Sequence, residues 1–241
     1  MKHQLSVVMI AQNEEAVIQE AIESANFADE ILVVDSGSDD STVQCAQRLG
    51  VRVEHQAWLG FGRQKQRAIE LARNDWVFVL DCDERIPEPL QLEIQAVLDA
   101  PCANGYLVPR LNQFFGRYIR FGGLYPDLSL RLFDKNNGRF DNAEVHEKVL
   151  IKGPPGRLKN HLHHLAYQSI DEFIDKQNRY SSLRNEGRHI VKGAIHSHWT
   201  FWKMYLFKQG FRDGWRGLVI ANLYAQYTYW KYIKGGSHTP H

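Results

Sequence analysis

The sequence predicts an α/β protein with a mostly parallel sheet that helices cover on both faces. Two observations support this fold class. Short runs rich in β-branched and apolar residues lie at 5–10, 30–34, 51–55 and 76–80. Segments with helical periodicity separate these runs, at 14–25, 42–49 and 63–72. Strands that alternate with helices of this length form βαβ units, whose parallel strands are buried on both faces.

Capping and turn residues set the limits of the predicted elements. The helix at 42–49 follows the capping cluster Ser38-Asp39-Asp40-Ser41 and ends at Gly50. A further helix begins at the proline pair 87 and 89 and ends at Leu98, because proline is tolerated in the first turn of a helix. These signals agree with the strand–helix alternation and support the predicted order of elements.

The chain changes character after its first hundred residues. The pattern is strand-like and irregular from 105 to 150, and it is helical after Ile170. Residues 1–150 carry a net charge of −8 and residues 151–241 a net charge of +9. The whole chain has a net charge of only +1, which excludes the uniformly basic surface of a typical nucleic-acid-binding protein.

The cysteines and the hydropathy of the sequence predict the compartment of the protein and its relation to a membrane. The three cysteines show no zinc-type spacing, and the residues after Met1 do not resemble a signal peptide. A cytoplasmic location is therefore expected. The longest charge-free apolar stretch near the C-terminus, Gly217–Trp230, would span about 21 Å as a helix, less than the roughly 30 Å of a bilayer core. We expect no membrane-spanning segment.

Polar turns rich in acids follow three of the predicted strands, at 11–14, 35–41 and 81–84. Ligands of such sheets bind beyond the carboxyl ends of the strands, where these turns converge. Asp81 and Asp83 are two residues apart and share one face of an extended backbone. Clustered carboxylates repel one another unless a cation joins them, and a divalent ion shared with phosphate oxygens suits this pattern.

Each turn alone has a simpler interpretation. The turn at 35–41 is by itself more typical of helix capping than of ligand binding. Cys82 is expected to be a packing residue, because neighbouring carboxylates raise the pKa of a thiol. Glycine-rich phosphate-binding loops of the P-loop or dinucleotide type do not occur, which disfavours those functions. The specific signal is the occurrence of all three turns at strand ends.

The segments SVVMIAQNEE, EILVVDSGSDDST and GFGRQKQRAIELARNDWVFVLDCDE resemble the nucleotide-sugar-binding half of family 2 glycosyltransferases, which have the GT-A fold. The resemblance covers residues 4–90. It implies that Asp35 contacts the uracil or ribose, that Asp81 lies on the ribose side, and that Asp83 is a ligand of Mg²⁺ or Mn²⁺. It also assigns donor binding to the residue pair Asn13-Glu14 and to Lys65, although the family's usual Arg-Asn is Lys65-Gln66 here.

The segments LSLRLFDKNNGRFDNAEVHEKV and LHHLAYQSIDEFIDKQNRYSS resemble a narrower bacterial group that includes glucosyltransferases of lipopolysaccharide inner-core assembly. This resemblance implies a UDP-sugar donor, glucose as the sugar and a lipid-linked saccharide acceptor. The expected organisation is a nucleotide-sugar-binding half (1–104), an acceptor-side half of the same domain (105–168), a helical basic-aromatic region (169–234) and a flexible tail (235–241).

An inverting transferase of this kind needs a base near the acceptor hydroxyl. We expect Glu147 to be that base, with Glu144 and Asp141 as alternatives, while an ion pair with Lys148 is the simpler interpretation of Glu147. The resemblance favours His164 as a further metal ligand opposite Asp83. The other histidines near 161–163 and 196–198 form no expected zinc site, since a half-buried strand of mixed polarity accounts for them.

The region between Trp199 and Tyr232 is rich in aromatic and basic residues. On one continuous helix, Lys208, Arg212 and Arg216 would form a single cationic stripe. This composition favours a peripheral helix on an anionic membrane surface at the inner face of the cytoplasmic membrane. The alternative is a helical subdomain whose aromatics pack against the sheet or a sister chain.

The sequence therefore predicts a metal-dependent hexosyltransferase. Three other functions remain open at this point. A polyprenyl-phosphate glycosyltransferase would need no strong base, because its acceptor is a phosphate. A sugar nucleotidyltransferase usually has a glycine-rich basic first loop, which the residues at 12–15 do not form. A non-catalytic nucleotide-sugar-binding module would keep the fold without turnover.

Overall fold

The computed structural model describes residues 3–141, 148–167, 169–183 and 189–234. The chain divides into two compact units. The first consists of Met1–Arg110 and Leu128–His164, and the second of Leu111–Asp127 and Leu165–His241. The predicted boundaries at 104 and 168 separate functional regions. The two structural units do not test them, so these boundaries stay a prediction.

The first unit has the predicted alternation of strands and helices. Its elements up to residue 110 are β1 (Leu5–Ala11), α1 (Ile18–Ser24), β2 (Glu30–Asp35), α2 (Thr42–Arg48), β3 (Arg52–His55), α3 (Phe61–Leu71), β4 (Trp76–Val79), β5 (Glu84–Arg85), α4 (Glu88–Asp99) and β6 (Gly105–Phe114), of which β6 continues into the second unit. The predicted strands are confirmed to within one residue. Helix α1 is shorter than predicted, because residues 14–17 form a turn in which Val17 and Ile18 both donate to the carbonyl of Glu14.

The remaining strands follow α4. They are β7 (Arg117–Tyr118), β8 (Asp127–Asp134), β9 (Gly138–Phe140), β10 (Val149–Ile151), β11 (Gly156–Arg157) and β12 (Leu162–Tyr167). The main sheet has the order β3-β2-β1-β4-β8-β6-β12-β5. Strands β1 to β4 pair in parallel, whereas β8 is antiparallel to β4 and β12 is antiparallel to β5. The parallel half of the sheet therefore brings the ends of β1, β2 and β4 to one edge.

Alternate residues of the central strands pack on opposite faces of the sheet. Val7 and Met9 of β1 belong to a core that includes Ile22 of α1, whereas Val8 belongs to a core that includes Ile69 of α3. Burying a side chain of this kind stabilises the fold by about 1.5–3 kcal/mol. The predicted α/β class with helices on both faces is confirmed.

The second unit is mainly helical, as predicted after Ile170. It contains α5 (Ile170–Leu183), α6 (Ile190–Trp202) and α7 (Trp215–Ile233). An aromatic and aliphatic core that includes Phe114, Phe173 and Leu223 holds it together. None of the helices in the described ranges is long and apolar enough to cross a membrane.

The prediction of one cationic stripe through Lys208, Arg212 and Arg216 is wrong. A π-helical turn at 203–207 extends α6, the backbone of Gln209 is left-handed (φ 57°), and a 3₁₀ turn at 210–213 precedes α7. Lys208 therefore follows the π-helical turn, whereas Arg212 lies on the 3₁₀ turn and Arg216 on α7. Beside this break the backbones of Gly210 and Gly217 are in close contact, since a side chain on Gly217 would collide with the carbonyl of Gly210.

Candidate active site

The turns after β1 and β2 are bonded to each other. The N–H of Asn13 donates to Ser38 Oγ (2.9 Å), and the N–H of Asp39 donates to Asn13 Oδ1 (3.0 Å). The N–H of Glu14 donates to Thr42 Oγ1 (2.7 Å). Asn13 has a left-handed backbone (φ 59°), a conformation that asparagine tolerates better than most residues. These bonds position the Asn13-Glu14 pair at the rim of the sheet.

Asp35 ends β2 and organises the turn that follows it. Its buried carboxylate accepts hydrogen bonds from the N–H groups of Gly37 (2.9 Å) and Ser38 (3.1 Å), and from Ser38 Oγ (2.5 Å). Asp35 therefore caps the turn itself and not helix α2, whose N-cap residue Ser41 makes no capping side-chain hydrogen bond. The predicted contact of Asp35 with uracil or ribose stays a prediction.

Asp81 lies between two cationic side chains. Lys65 Nζ on α3 is 3.0 Å from Asp81 Oδ1, and Arg131 Nη2 on β8 is 2.8 Å from Asp81 Oδ2. Burial opposes ionisation of Asp81, but Arg131 and Lys65 hold its pKa well below the usual value. Asp81 is therefore an ionised carboxylate with a fixed orientation.

Glu84 and Arg131 are two site residues that sequence reasoning missed. Arg131 Nη2 donates to Glu84 Oε1 (2.6 Å), and the N–H of Asp81 donates to Glu84 Oε2 (3.1 Å). The side chain of Glu84 is completely buried, and burial, followed by the charge of Asp81, raises its pKa. A signal was present, since Arg131 interrupts the apolar run LSLRLF and a cation inside a strand needs a buried acid.

Asp83 and His164 lie side by side. His164 Nε2 on β12 is 3.2 Å from Asp83 Oδ2, and His164 is brought there because it pairs with Glu84 across β12 and β5. The Asp83 side chain is 37% exposed and that of His164 is 15% exposed. A carboxylate and an imidazole within reach of each other form a donor set that fits a divalent cation when phosphate oxygens complete its coordination. Within the described ranges, no group of three or more His, Cys, Asp or Glu side chains forms a metal cluster.

The other histidines that the sequence singles out have different surroundings. His161, which precedes β12, and His163 on β12 are both half-buried, and their rings stack with centroids 5.5 Å apart. His196 and His198 lie on helix α6 and not on a strand, where His196 Nδ1 is 2.8 Å from the Tyr232 hydroxyl and His198 Nδ1 is 2.8 Å from the Ala194 carbonyl. The half-buried strand expected for His196 and His198 is therefore wrong, because both lie on a helix.

The carboxylates at the strand ends act on one another. Burial raises the pKa of Glu14, and the charges of Asp83, Asp40 and Asp81 raise it further. Burial, together with Glu14 and Asp81, raises the pKa of the Cys82 thiol well above its usual value. The Cys82 Sγ faces the Ile10 carbonyl at 3.4 Å, so Cys82 is a packing residue, as predicted.

The predicted base and one alternative, Glu147 and Glu144, lie outside the described residues. Asp141, the other alternative, closes the hairpin of β9 and β10. Its N–H donates to the Lys148 carbonyl (2.8 Å), and its Oδ1 accepts from the Lys148 N–H (3.0 Å). This hairpin bond gives Asp141 a structural role and leaves the choice of base a prediction.

Residues 6–147, more than half of the chain, match the family model described as glycosyl transferase family 2. The chain belongs to glycosyl transferase family 2. This family 2 chain is 30% identical to a Rickettsia typhi protein described as an uncharacterized glycosyltransferase, over 92% of this chain and 82% of that protein. It is 33% identical to the lipopolysaccharide core biosynthesis glycosyltransferase LpsC of Rhizobium meliloti, over 75% of this chain and 70% of LpsC. The two resemblances that the sequence motifs carry are confirmed.

The family 2 chain also resembles a solved structure, that of S. aureus TarS residues 1–349 in complex with UDP. The TM-score is 0.50 at 17% identity, and the alignment covers 88% of this chain and 75% of TarS. At this identity the likeness shows the fold alone. The predicted GT-A fold with a C-terminal helical region is confirmed.

Proposed function

We propose that this family 2 protein is an inverting glycosyltransferase that moves glucose from UDP-glucose to a lipid-linked saccharide of the lipopolysaccharide inner core. The similarity to LpsC over three quarters of the chain supports the acceptor class. The observation that carries the chemistry is the Asp83–His164 pair at the strand-end edge, beside an Asp81 carboxylate that Lys65 and Arg131 keep ionised.

Donor binding is assigned to the residues at the ends of β1, β2 and β4. Asn13 and Glu14 follow β1, and Asp35 ends β2. The Lys65–Asp81 ion pair lies at the end of β4. Asp81 orients the ribose as a hydrogen-bond acceptor, and Asp35 contacts the uracil or ribose. A rigid set of acceptors of this kind recognises ribose hydroxyls with little loss of side-chain entropy.

Asp83 and His164 would hold Mg²⁺ or Mn²⁺ together with the diphosphate of the donor. When bound, a divalent cation stabilises the negative charge that develops on the departing nucleoside diphosphate. Glu147 removes the proton of the acceptor hydroxyl as the new bond to the anomeric carbon forms, with Glu144 and Asp141 as alternatives. The enzyme works as a peripheral protein on the anionic inner face of the cytoplasmic membrane, where lipid-linked acceptors are presented.

A donor screen tests the proposal. Purified protein is incubated with UDP-glucose and other nucleotide sugars, with Mg²⁺, Mn²⁺ or a chelator, and released UDP is measured. We expect cation-dependent hydrolysis with UDP-glucose as the preferred donor. Binding of UDP-glucose without hydrolysis or transfer to any acceptor would instead indicate a non-catalytic module.

The base is tested with matched amide variants. E147Q removes a general base, so transfer should fall by about 10²–10⁴-fold. The affinity for UDP-glucose should stay close to that of wild type, because the base acts on the acceptor hydroxyl. E144Q and D141N test the two alternative bases, and both should retain transfer if Glu147 is the base. Full transfer by E147Q to a saccharide acceptor would reject Glu147, and full transfer to a polyprenyl phosphate would favour the polyprenyl-phosphate alternative.

A further inference from the structure

Helix α6 carries its large apolar side chains on its outward face. Val191, Ile195, Trp199 and Trp202, followed by Leu206 on the π-helical turn, are between 50% and 74% exposed. Their spacing of three and four residues places them on one side of the helix. We call these five residues the α6 stripe.

The opposite face of α6 is small and polar, and it packs on α7. A Cβ at Gly193 would lie 2.6 Å from the Cβ of Tyr232, so the two helices are in close contact there. Ser197 Oγ donates to the Ala225 carbonyl (2.8 Å), and Thr200 Oγ1 lies 3.3 Å from Thr228 Oγ1. A surface helix of a globular protein has the reverse arrangement, with its apolar side toward the core. The α6 stripe is therefore suited to an apolar environment outside the unit.

The charges around the stripe indicate what that environment is. Residues 190–212 contain four basic residues and no acidic residue. Lys192, Lys203, Lys208 and Arg212 are all exposed. Two copies of this face would oppose like charges, which disfavours self-association, whereas lipid phosphates would neutralise them. Tryptophan, which has two positions in the stripe, is a residue enriched at membrane–water interfaces.

We propose that the α6 stripe inserts into the boundary between headgroups and acyl chains of an anionic bilayer, while Lys192 and Lys203 contact lipid phosphates. The helix lies in the plane of the membrane, as amphipathic interfacial helices do. This inference rests on the membrane-peripheral part of the proposed function and names the surface responsible. It also replaces the Lys208–Arg212–Arg216 stripe, which does not exist on one helix.

Vesicle co-sedimentation tests the insertion. The probes are vesicles of phosphatidylcholine with phosphatidylglycerol, and vesicles of phosphatidylcholine alone. The double variant I195S/W199S should bind the anionic vesicles at least about tenfold more weakly than wild type, because two buried apolar side chains are lost. The control is L92S, which removes an equally exposed leucine (60%) from α4 and should bind like wild type.

The electrostatic contribution is tested with K192E/K203E. This variant should lose affinity for the anionic vesicles, by about fivefold per cation removed, and should show no loss with the neutral ones. Brominated acyl chains should quench the fluorescence of wild type more than that of W199F/W202F. Equal quenching of both proteins would show that the stripe does not enter the bilayer, and it would overturn the inference.

UDP-glucose hydrolysis in the absence of lipid separates this inference from the proposed function. I195S/W199S should hydrolyse UDP-glucose like wild type, because none of the residues assigned to the donor or the cation belongs to α6. If wild type hydrolyses UDP-glucose but binds no vesicle, the inference fails and the proposed activity stands. If wild type binds vesicles through the stripe but hydrolyses no nucleotide sugar, the inference stands and the proposed activity fails. A wild-type dimer that I195S/W199S abolishes, with no vesicle binding, would identify a second copy as the partner and reject the bilayer.

Discussion

The strand-end site of the first unit and helix α6 of the second unit handle polar groups in opposite ways. In the site, the buried charges of Glu84 and Arg131 are paired with each other, and Arg131 also pairs with the partly exposed carboxylate of Asp81. On α6, Ser197 and Thr200 face the neighbouring helix α7, whereas the large apolar side chains of the α6 stripe face outward. Whether a side chain is buried therefore depends on the hydrogen-bond and ion-pair partners around it as well as on its own polarity. In the site, the surrounding residues hold charged side chains in a fixed arrangement. On α6, a large apolar surface stays exposed.

Breaking the buried charge network should have the largest effect on stability. R131M leaves Glu84 and Asp81 without their shared guanidinium, so we expect the free energy of unfolding to fall by about 3–5 kcal/mol in urea titrations. R139M, which removes an exposed arginine from β9, is the control and should change it by less than about 0.5 kcal/mol. Adding E84Q to R131M should restore part of the loss, since it neutralises a buried carboxylate that R131M leaves with only the more distant Arg110 Nη1, at 3.5 Å, among its two arginine partners. A loss below about 1 kcal/mol for R131M would show that the network is not a stability element.

A substitution at Asp83, which is the partly exposed part of the same site, should lower activity without lowering stability. D83N removes the carboxylate that faces His164, and we expect cation-dependent UDP-glucose hydrolysis to fall by about 10²–10³-fold. Urea titration should show an unchanged midpoint, because the Asp83 side chain is partly exposed. D99N makes the same charge change at the exposed end of α4 and should retain full activity. Equal activity of D83N and D99N would remove Asp83 from the site.

On α6, a small inward residue should matter more than a large outward one. G193A places a methyl group 2.6 Å from the Cβ of Tyr232, and we expect a loss of about 1–3 kcal/mol in the free energy of unfolding from overpacking, which exceeds the gain in helix propensity. I195A removes more apolar surface but from an exposed position, so its effect should stay within about 0.5 kcal/mol. The reverse order, with I195A the more destabilising, would contradict the inverted orientation of α6.

The smallest effect is expected in the pH dependence of stability. The pKa of Asp81 is lowered in the folded state, so its ion pairs stabilise the fold at all pH values above the usual 3.8 and lose that contribution as the pH falls further toward the folded-state pKa. The difference in unfolding free energy between wild type and D81N should therefore be constant from neutral pH down to about 5 and shrink only below 3.8. Urea titrations across this range measure it. A difference that already shrinks between neutral pH and about 5 would assign the effect to another group.

The order of elements in the first unit was predictable because β-branched runs and helical periodicity are local signals. The location of the candidate site at the ends of β1, β2 and β4 was also predictable, because parallel strands bring their carboxyl ends to one edge of the sheet. Residues 14–17 and the break at 208–214 were not predictable. In the first, the Glu14 carbonyl accepts from both Val17 and Ile18, and the Glu14 N–H donates to Thr42 of the distant helix α2. In the second, the backbones of Gly210 and Gly217 are in close contact.

By itself, the amino-acid sequence determined the family, the α/β class and the three acid-bearing turns, because each of these is written in residues that are close together in the chain. Only the tertiary structure decided which charges meet. Arg131 reaches Asp81 from 50 residues away, and Asp83 meets His164 across 81 residues. The outward face of α6 was decided in the same way, since helical spacing groups apolar residues on one side of a helix but does not say which side the neighbouring helix covers.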